Sequence, residues 1–160
     1  MQLSADEKLD DFPPVSEKLL NTEILLTENN EKIKLSDYKN DVIVLSFVAE
    51  WAKPARDTVF DLKTLYAENL KNLRIIAVAI ENGESDMSNF KRFVKLSKIN
   101  FQAGWANNDF INKFFEISKF NGIPQSFVIK DGKLRGSFSG GSSITNSELV
   151  NLVRKICVEE

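Results

Sequence analysis

The sequence predicts an α/β fold, a central mixed β-sheet with helices on both faces. Three observations predict it. First, two apolar runs, DVIVLSFVA at 41–49 and NLRIIAVAI at 72–80, read as buried strands. Second, the segment between them carries Val59, Leu62, Leu65 and Tyr66 at helical spacing. Strand, helix and strand in that order imply a right-handed crossover and a parallel pair. Third, Asp131-Gly132 between two strand-like runs suits a two-residue hairpin whose central residues need positive φ. An antiparallel pair therefore closes the sheet.

The remaining elements follow in order. Residues 1–14 read as a flexible lead-in and 15–160 as one domain. TEILLTENNEKIKLSDY gives two short strands around a polar turn, an N-terminal hairpin. After the second buried strand, Asp86 caps a helix with Met87, Phe90, Phe93 and Val94 on its apolar stripe. NFQAGW is a short strand. Asn107 or Asn108 caps the next helix, whose Phe110, Ile111, Phe114 and Phe115 face inward as core. NGIP breaks the chain at 121–124. After Gly140-Gly141, TNSE at 145–148 has the form of a capping box for a last helix with Leu149, Leu152, Val153 and Ile156 inside.

Composition excludes several function classes. The chain has 160 residues, a formal charge of −2 and scattered basic residues, so a nucleic-acid footprint is not expected. It has no histidine, which removes the commonest metal ligand and general base. Cys157 is the only cysteine, so neither an internal disulfide nor a thiolate zinc site can form. It reads as a small, partly buried residue near the end of the last helix. No metal or cofactor is expected. No stretch reaches the length of a membrane span, and MQLSADEKLDD is polar and acidic rather than leader-like. A cytoplasmic chain and a mature domain without its leader both remain open.

The segment AEWAKPAR, 49–56, stands where the first buried strand meets its helix. Pro54 sits in the first turn, where a missing N–H costs little. A helix start presents unpaired N–H groups and the positive end of the dipole, a setting that favours thiolate over thiol. Ala52 and Ala55 occupy it, one turn apart, with no chemistry of their own.

The stretch IVLSFVAEWAKPAR resembles the active-site segment of the thioredoxin superfamily, in which a buried strand runs into A-x-W-C-x-x-C-[KR] at a helix start. Phe47, Ala49, Glu50, Trp51, Pro54 and Arg56 fall on that pattern; Ala52 and Ala55 fall on its two cysteines. GIPQSFVI, with Pro124, matches the family's cis-proline loop before a strand, and Gly140-Gly141 matches its glycine after the closing hairpin. The segment from Ala55 to Pro124 holds an extra helix and strand, and with the N-terminal hairpin this is similar to the TlpA/ResA/CcmG group. The resemblance implies a thioredoxin fold with an α/β insertion before the cis-proline loop. It also implies an extracytoplasmic location and thiol–disulfide oxidoreductases, several of which serve cytochrome c biogenesis; the alternative compartment is cytoplasmic.

In such proteins a first thiolate attacks a disulfide and a second resolves the adduct. The resemblance therefore places the nucleophile at Ala52, the resolving cysteine at Ala55, and the catalytic loop at Pro124. Trp51, Lys53, Pro54, Ile123 and Gly140 would form the surface that holds a partner. Ser46 falls where plain thioredoxins often carry a buried acid, and Glu50 and Glu81 are candidates for proton transfer in its stead. Expected partners are proteins with disulfides or dithiols, approached by a monomer; nucleic acid and membrane spans are not expected. The leading expectation is an oxidoreductase acting on protein disulfides, present as a redox-inactive form with WAKPA in place of WCKPC. The alternative is a naturally redox-dead binding module on the same fold. Peroxiredoxins share the scaffold, but the arrangement of Trp51 and Pro54 is that of the CxxC pattern. A phosphate-binding reading lacks its glycine-rich loop.

Overall fold

The computed structural model describes residues 12–49, 52–80, 87–118 and 123–159. Its framework is one seven-stranded sheet of order β2-β1-β5-β4-β3-β6-β7. The strands are β1 (Ile24–Leu26), β2 (Lys32–Ile33), β3 (Val42–Val48), β4 (Leu73–Ala79), β5 (Gln102–Trp105), β6 (Gln125–Lys130) and β7 (Lys133–Ser139). The helices are α1 (Glu17–Leu20), α2 (Lys53–Ala67), α3 (Met87–Leu96), α4 (Asn108–Ser118) and α5 (Ser143–Cys157). The β-branched first half of β3 makes it the centre: it pairs in parallel with β4 and antiparallel with β6, and all its residues are buried. The mixed sheet predicted from the two apolar runs and the hairpin is the one observed.

Alternation along β3 divides the core. Val42, Val44 and Val48 face α2, α3 and α5; Ile43, Leu45 and Phe47 face α1 and α4. On the second face Phe47 meets Phe110, Phe114, Phe115 and Phe127 at ring-centroid distances of 6.0, 5.7, 5.6 and 5.8 Å. Such tilted and edge-on pairs add about 0.5–1.5 kcal/mol each beyond burial. The phenylalanine stripe of α4 is thus core, as its spacing indicates.

Local chemistry explains the element boundaries. Asn107 is the cap of α4, its Oδ1 accepting from the Phe110 N–H at 2.8 Å. Asp131 and Gly132 have φ of 54° and 73°, as a two-residue hairpin of this type demands. The cap expected at Thr145 is corrected: α5 begins at Ser143, and Ser142 Oγ accepts from the Thr145 N–H at 3.1 Å. Two serines after the glycine pair offered an earlier cap, and the helix took the first of them. The TNSE segment is therefore the helix's first turns. Asp86 lies outside the described residues. Two short elements were not anticipated, α1 with Ser16 as its cap and a 3-10 turn at Leu35–Tyr38.

The chain from Phe12 is already packed. The Leu134 N–H donates to the Pro13 carbonyl at 2.8 Å, and the Val15 N–H donates to the Gly132 carbonyl at 2.8 Å. Phe12 covers the guanidinium of Arg135 at 4.4 Å, and Glu159 binds the same group through both carboxylate oxygens at 3.1 and 3.0 Å. Arg135, buried on β7, thereby joins both ends of the described chain to the sheet.

Candidate active site

The site is built from three chain segments that meet at one end of the sheet. The first is the start of α2. Ala52 is its N-cap residue, in extended conformation (φ −93°, ψ 107°) and with no side-chain cap. Pro54 in the first turn brings no N–H that would need a cap. The Ala55 N–H donates to the Ala52 carbonyl at 3.0 Å, so the two alanines lie on one turn. They differ in access. Ala52 retains 7% of its surface and Ala55 none, and both belong to the apolar cluster on the sheet face toward α2. Lys53 and Pro54 are exposed beside them.

The second segment is the loop entering β6. The Ile123–Pro124 peptide bond is cis. Pro124 is buried, and Ile123 packs half-buried against the cluster that contains Ala52 and Ala55.

The third is the turn from β7 into α5. The Gly140 N–H donates to the Pro124 carbonyl at 2.8 Å. Gly140 has φ of 85°, and a side chain there would meet open space. Gly141 is the reverse: a Cβ would lie 2.4 Å from the Pro54 carbonyl oxygen and 2.9 Å from its Cβ. Only glycine lets this loop press on the first turn of α2. Pro124, Gly140, Gly141 and Pro54 thus form a continuous line of contact, and the helix start, the proline loop and the glycine turn become neighbours.

The core of the central sheet also holds a neutral polar pair. Ser46 Oγ and Ser126 Oγ lie 2.9 Å apart, both residues buried, on the sheet face toward α2. One hydroxyl donates to the other, and neither is a strong base. The partner role of Ser126 is not readable without the β3–β6 register that sets it opposite Ser46. Glu50, Trp51 and Glu81 lie outside the described residues.

Sequence reasoning also missed Asn146. It is buried on α5, where its Oδ1 accepts from Thr58 Oγ1 at 3.3 Å; its Nδ2 donates to Asp61 Oδ2 at 2.9 Å and to the Gly141 carbonyl at 3.3 Å. A signal was present: Asn146 is a polar residue in register with the buried Leu149, Val153 and Ile156.

Cys157 lies far from these three segments. It is half-buried at the far end of α5, roughly 20 Å along the helix from the glycine turn. Burial pushes its thiol above the ordinary range, with Lys130 pulling the other way.

The sequence matches the family model described as AhpC/TSA over residues 11–137. The chain belongs to the AhpC/TSA family. No curated protein matches this AhpC/TSA-family chain. Among solved structures it is similar to a putative thiol:disulfide interchange protein DsbE from Chlorobium tepidum. That pair shares 20% identity over 94% of this chain and 99% of the other, with a TM-score of 0.73. It is also similar to a putative protein disulfide isomerase from Bacteroides thetaiotaomicron, with 17% identity, 99% and 96% coverage and a TM-score of 0.73. A third is the pneumococcal exposed lipoprotein thioredoxin Etrx1 from Streptococcus pneumoniae, with 20% identity, 83% and 97% coverage and a TM-score of 0.67. These likenesses establish a shared thioredoxin-type fold for this family member.

Proposed function

We propose that this chain is a thiol–disulfide oxidoreductase scaffold of the TlpA/ResA type in its redox-silent form, WAKPA standing where WCKPC would act on protein disulfides. The observation that carries the reading is the placement of Ala52 and Ala55 on the first turn of α2. Ala52 keeps 7% of its surface and Ala55 none, beside the line of Pro124, Gly140 and Gly141. That gradient of access suits the chemistry. A thiolate at position 52 would attack a partner's disulfide, forming one S–S bond and releasing the partner's second sulfur as thiolate. A thiol at position 55, shielded from solvent, would then lose its proton, attack the sulfur at position 52 and free the partner as a dithiol. With alanine at both positions the surface can hold a partner but exchange nothing.

Lys53, Pro54, Ile123 and Gly140 line that surface on this reading, with Trp51 completing it; Glu50 and Glu81 are the proton-transfer candidates. The partners are proteins bearing disulfides or dithiols. The location is extracytoplasmic, a reading supported by the pneumococcal neighbour, an exposed lipoprotein.

The second reading, a naturally redox-dead binding module, is favoured by one observation. The buried Ser46–Ser126 pair, on the strand that leads to the helix start, offers no ready acceptor for the proton of a resolving thiol.

A single Ala52→Cys variant tests the scaffold. Its new thiol has no resolving partner, so the variant should accumulate a stable mixed disulfide with a disulfide-bonded peptide, seen by mass spectrometry. Ala55→Cys, enclosed, should form the adduct at least tenfold more slowly, as access to the sulfur requires. Equal rates at the two positions, or an Ala52→Cys rate no higher than that of Cys157 in the unaltered chain, would refute the proposal.

A further inference from the structure

A buried asparagine is hydrogen-bonded to a loop that it does not belong to. Asn146 has a complete set of partners: it accepts from Thr58 and donates one N–H each to Asp61 and to the Gly141 carbonyl. The orientation of its amide is fixed chemically, because the Asp61 carboxylate and a backbone carbonyl can only accept. Thr58 and Asp61 lie on α2, Asn146 on α5, and Gly141 in the turn before it. One side chain therefore fastens two helices together and pulls the glycine turn onto both. The turn is held from three sides: by Asn146, by the Gly140 N–H on the Pro124 carbonyl, and by the closed space between Gly141 and Pro54.

We infer that Asn146 is a positioning residue for the candidate site: its bond to the Gly141 carbonyl sets the Gly140–Gly141 wall against Pro124 and the first turn of α2. This rests on the reading that the surface beside Pro124 receives a partner. Asn146 itself is buried behind that surface and touches no partner. Its effect on binding passes through Gly140, whose outer side faces open space. A disulfide-bearing polypeptide seated beside Pro124 would meet the wall in the place that Asn146 gives it.

Exchanging the two acidic and amide groups separates the helix contact from the loop contact. In Asn146→Asp, two carboxylates face each other and the Gly141 carbonyl loses its donor. In the double variant Asn146→Asp with Asp61→Asn, the amide at 61 donates to the carboxylate at 146, and Thr58 still donates to it. The α2–α5 contact is restored, but a carboxylate cannot donate to Gly141.

The readout is amide hydrogen exchange of Gly140 by NMR on the full chain, referenced to β3 amides that report global opening. In the double variant the urea midpoint should return close to that of the unaltered chain. The Gly140 amide should still exchange roughly five- to tenfold faster, the loss of about one hydrogen bond. In the Ala52→Cys background, the double exchange should slow adduct formation by a similar factor.

Recovery of both midpoint and Gly140 protection would overturn the inference, leaving Asn146 as a helix fastener only. An adduct rate unchanged while Gly140 exchanges fast would overturn it equally. If Ala52→Cys forms no adduct at all, the scaffold reading falls, while Gly140 exchange still decides whether Asn146 places the wall.

Discussion

Replacing Gly141 with alanine probes the junction on which the site depends. The added Cβ would lie 2.4 Å from the Pro54 carbonyl oxygen, 2.9 Å from the Pro54 Cβ and 3.0 Å from the Pro54 carbonyl carbon. Two of these atoms are backbone in the first turn of α2, so no side-chain rotation relieves the overlap. The loop must retreat by about 1 Å to reach ordinary contact, and it is tied on both sides. The Gly140 N–H bond to Pro124 is 2.8 Å long and the Asn146 bond to the Gly141 carbonyl is 3.3 Å. Overpacking of this kind costs about 1–3 kcal/mol, and a lengthened hydrogen bond about 1 kcal/mol more. The expected total is about 2–4 kcal/mol. With a urea dependence of about 2 kcal/mol per molar, the unfolding midpoint should fall by about 1–2 M with an unchanged slope.

Gly140 supplies the control. Its constraint is conformational (φ 85°) rather than steric, so Gly140→Asn, which tolerates left-handed backbone, should lose less than about 1 kcal/mol. A Gly141→Ala midpoint within about 0.3 M of the unaltered chain would refute the contact reasoning. So would a greater loss for Gly140→Asn than for Gly141→Ala.

Two further outcomes are expected. Ser46→Ala leaves the buried Ser126 hydroxyl without its partner and should cost about 1–3 kcal/mol. The double variant with Ser126→Ala should be less destabilised than the sum of the singles, and strict additivity in urea titrations would show that the two hydroxyls do not depend on each other. Cys157 should resist alkylation: burial raises its thiol, so the neutral form persists past the titration of an unfolded cysteine near pH ~8.5. Its stabilising contribution is then complete below that pH and is lost as pH rises through the folded value. A rate of iodoacetamide reaction with the folded chain at pH 8 equal to that in urea would contradict this.

Most of the framework was legible because it rests on local patterns. The β-branched run of β3, the helical spacing of Val59, Leu62 and Leu65, and the Asp131-Gly132 turn each state one element without help from distant residues. The candidate site was legible in part for the same reason, since strand, helix start and proline loop are contiguous stretches. What escaped was relational. Ser126 acquires its meaning only from the register that sets it across from Ser46, and Gly141 only from the approach of Pro54. Asn146 reads as one polar residue in a helical stripe until Thr58 and Asp61 are placed opposite it. The start of α5 was misplaced because Ser142 and Thr145 are both competent caps, and propensity does not choose between them. Short elements such as α1 lack the length over which periodicity can speak.

The most direct measurement installs both sulfurs. The chain carrying Ala52→Cys with Ala55→Cys should form a disulfide between those residues and, kept reduced by dithiothreitol, catalyse the reduction of insulin disulfides above the unaltered chain and either single variant. Thiols that fail to pair in the folded protein, or a pair that leaves insulin reduction at the background rate, would mean that this helix start is no exchange centre lacking only its sulfurs.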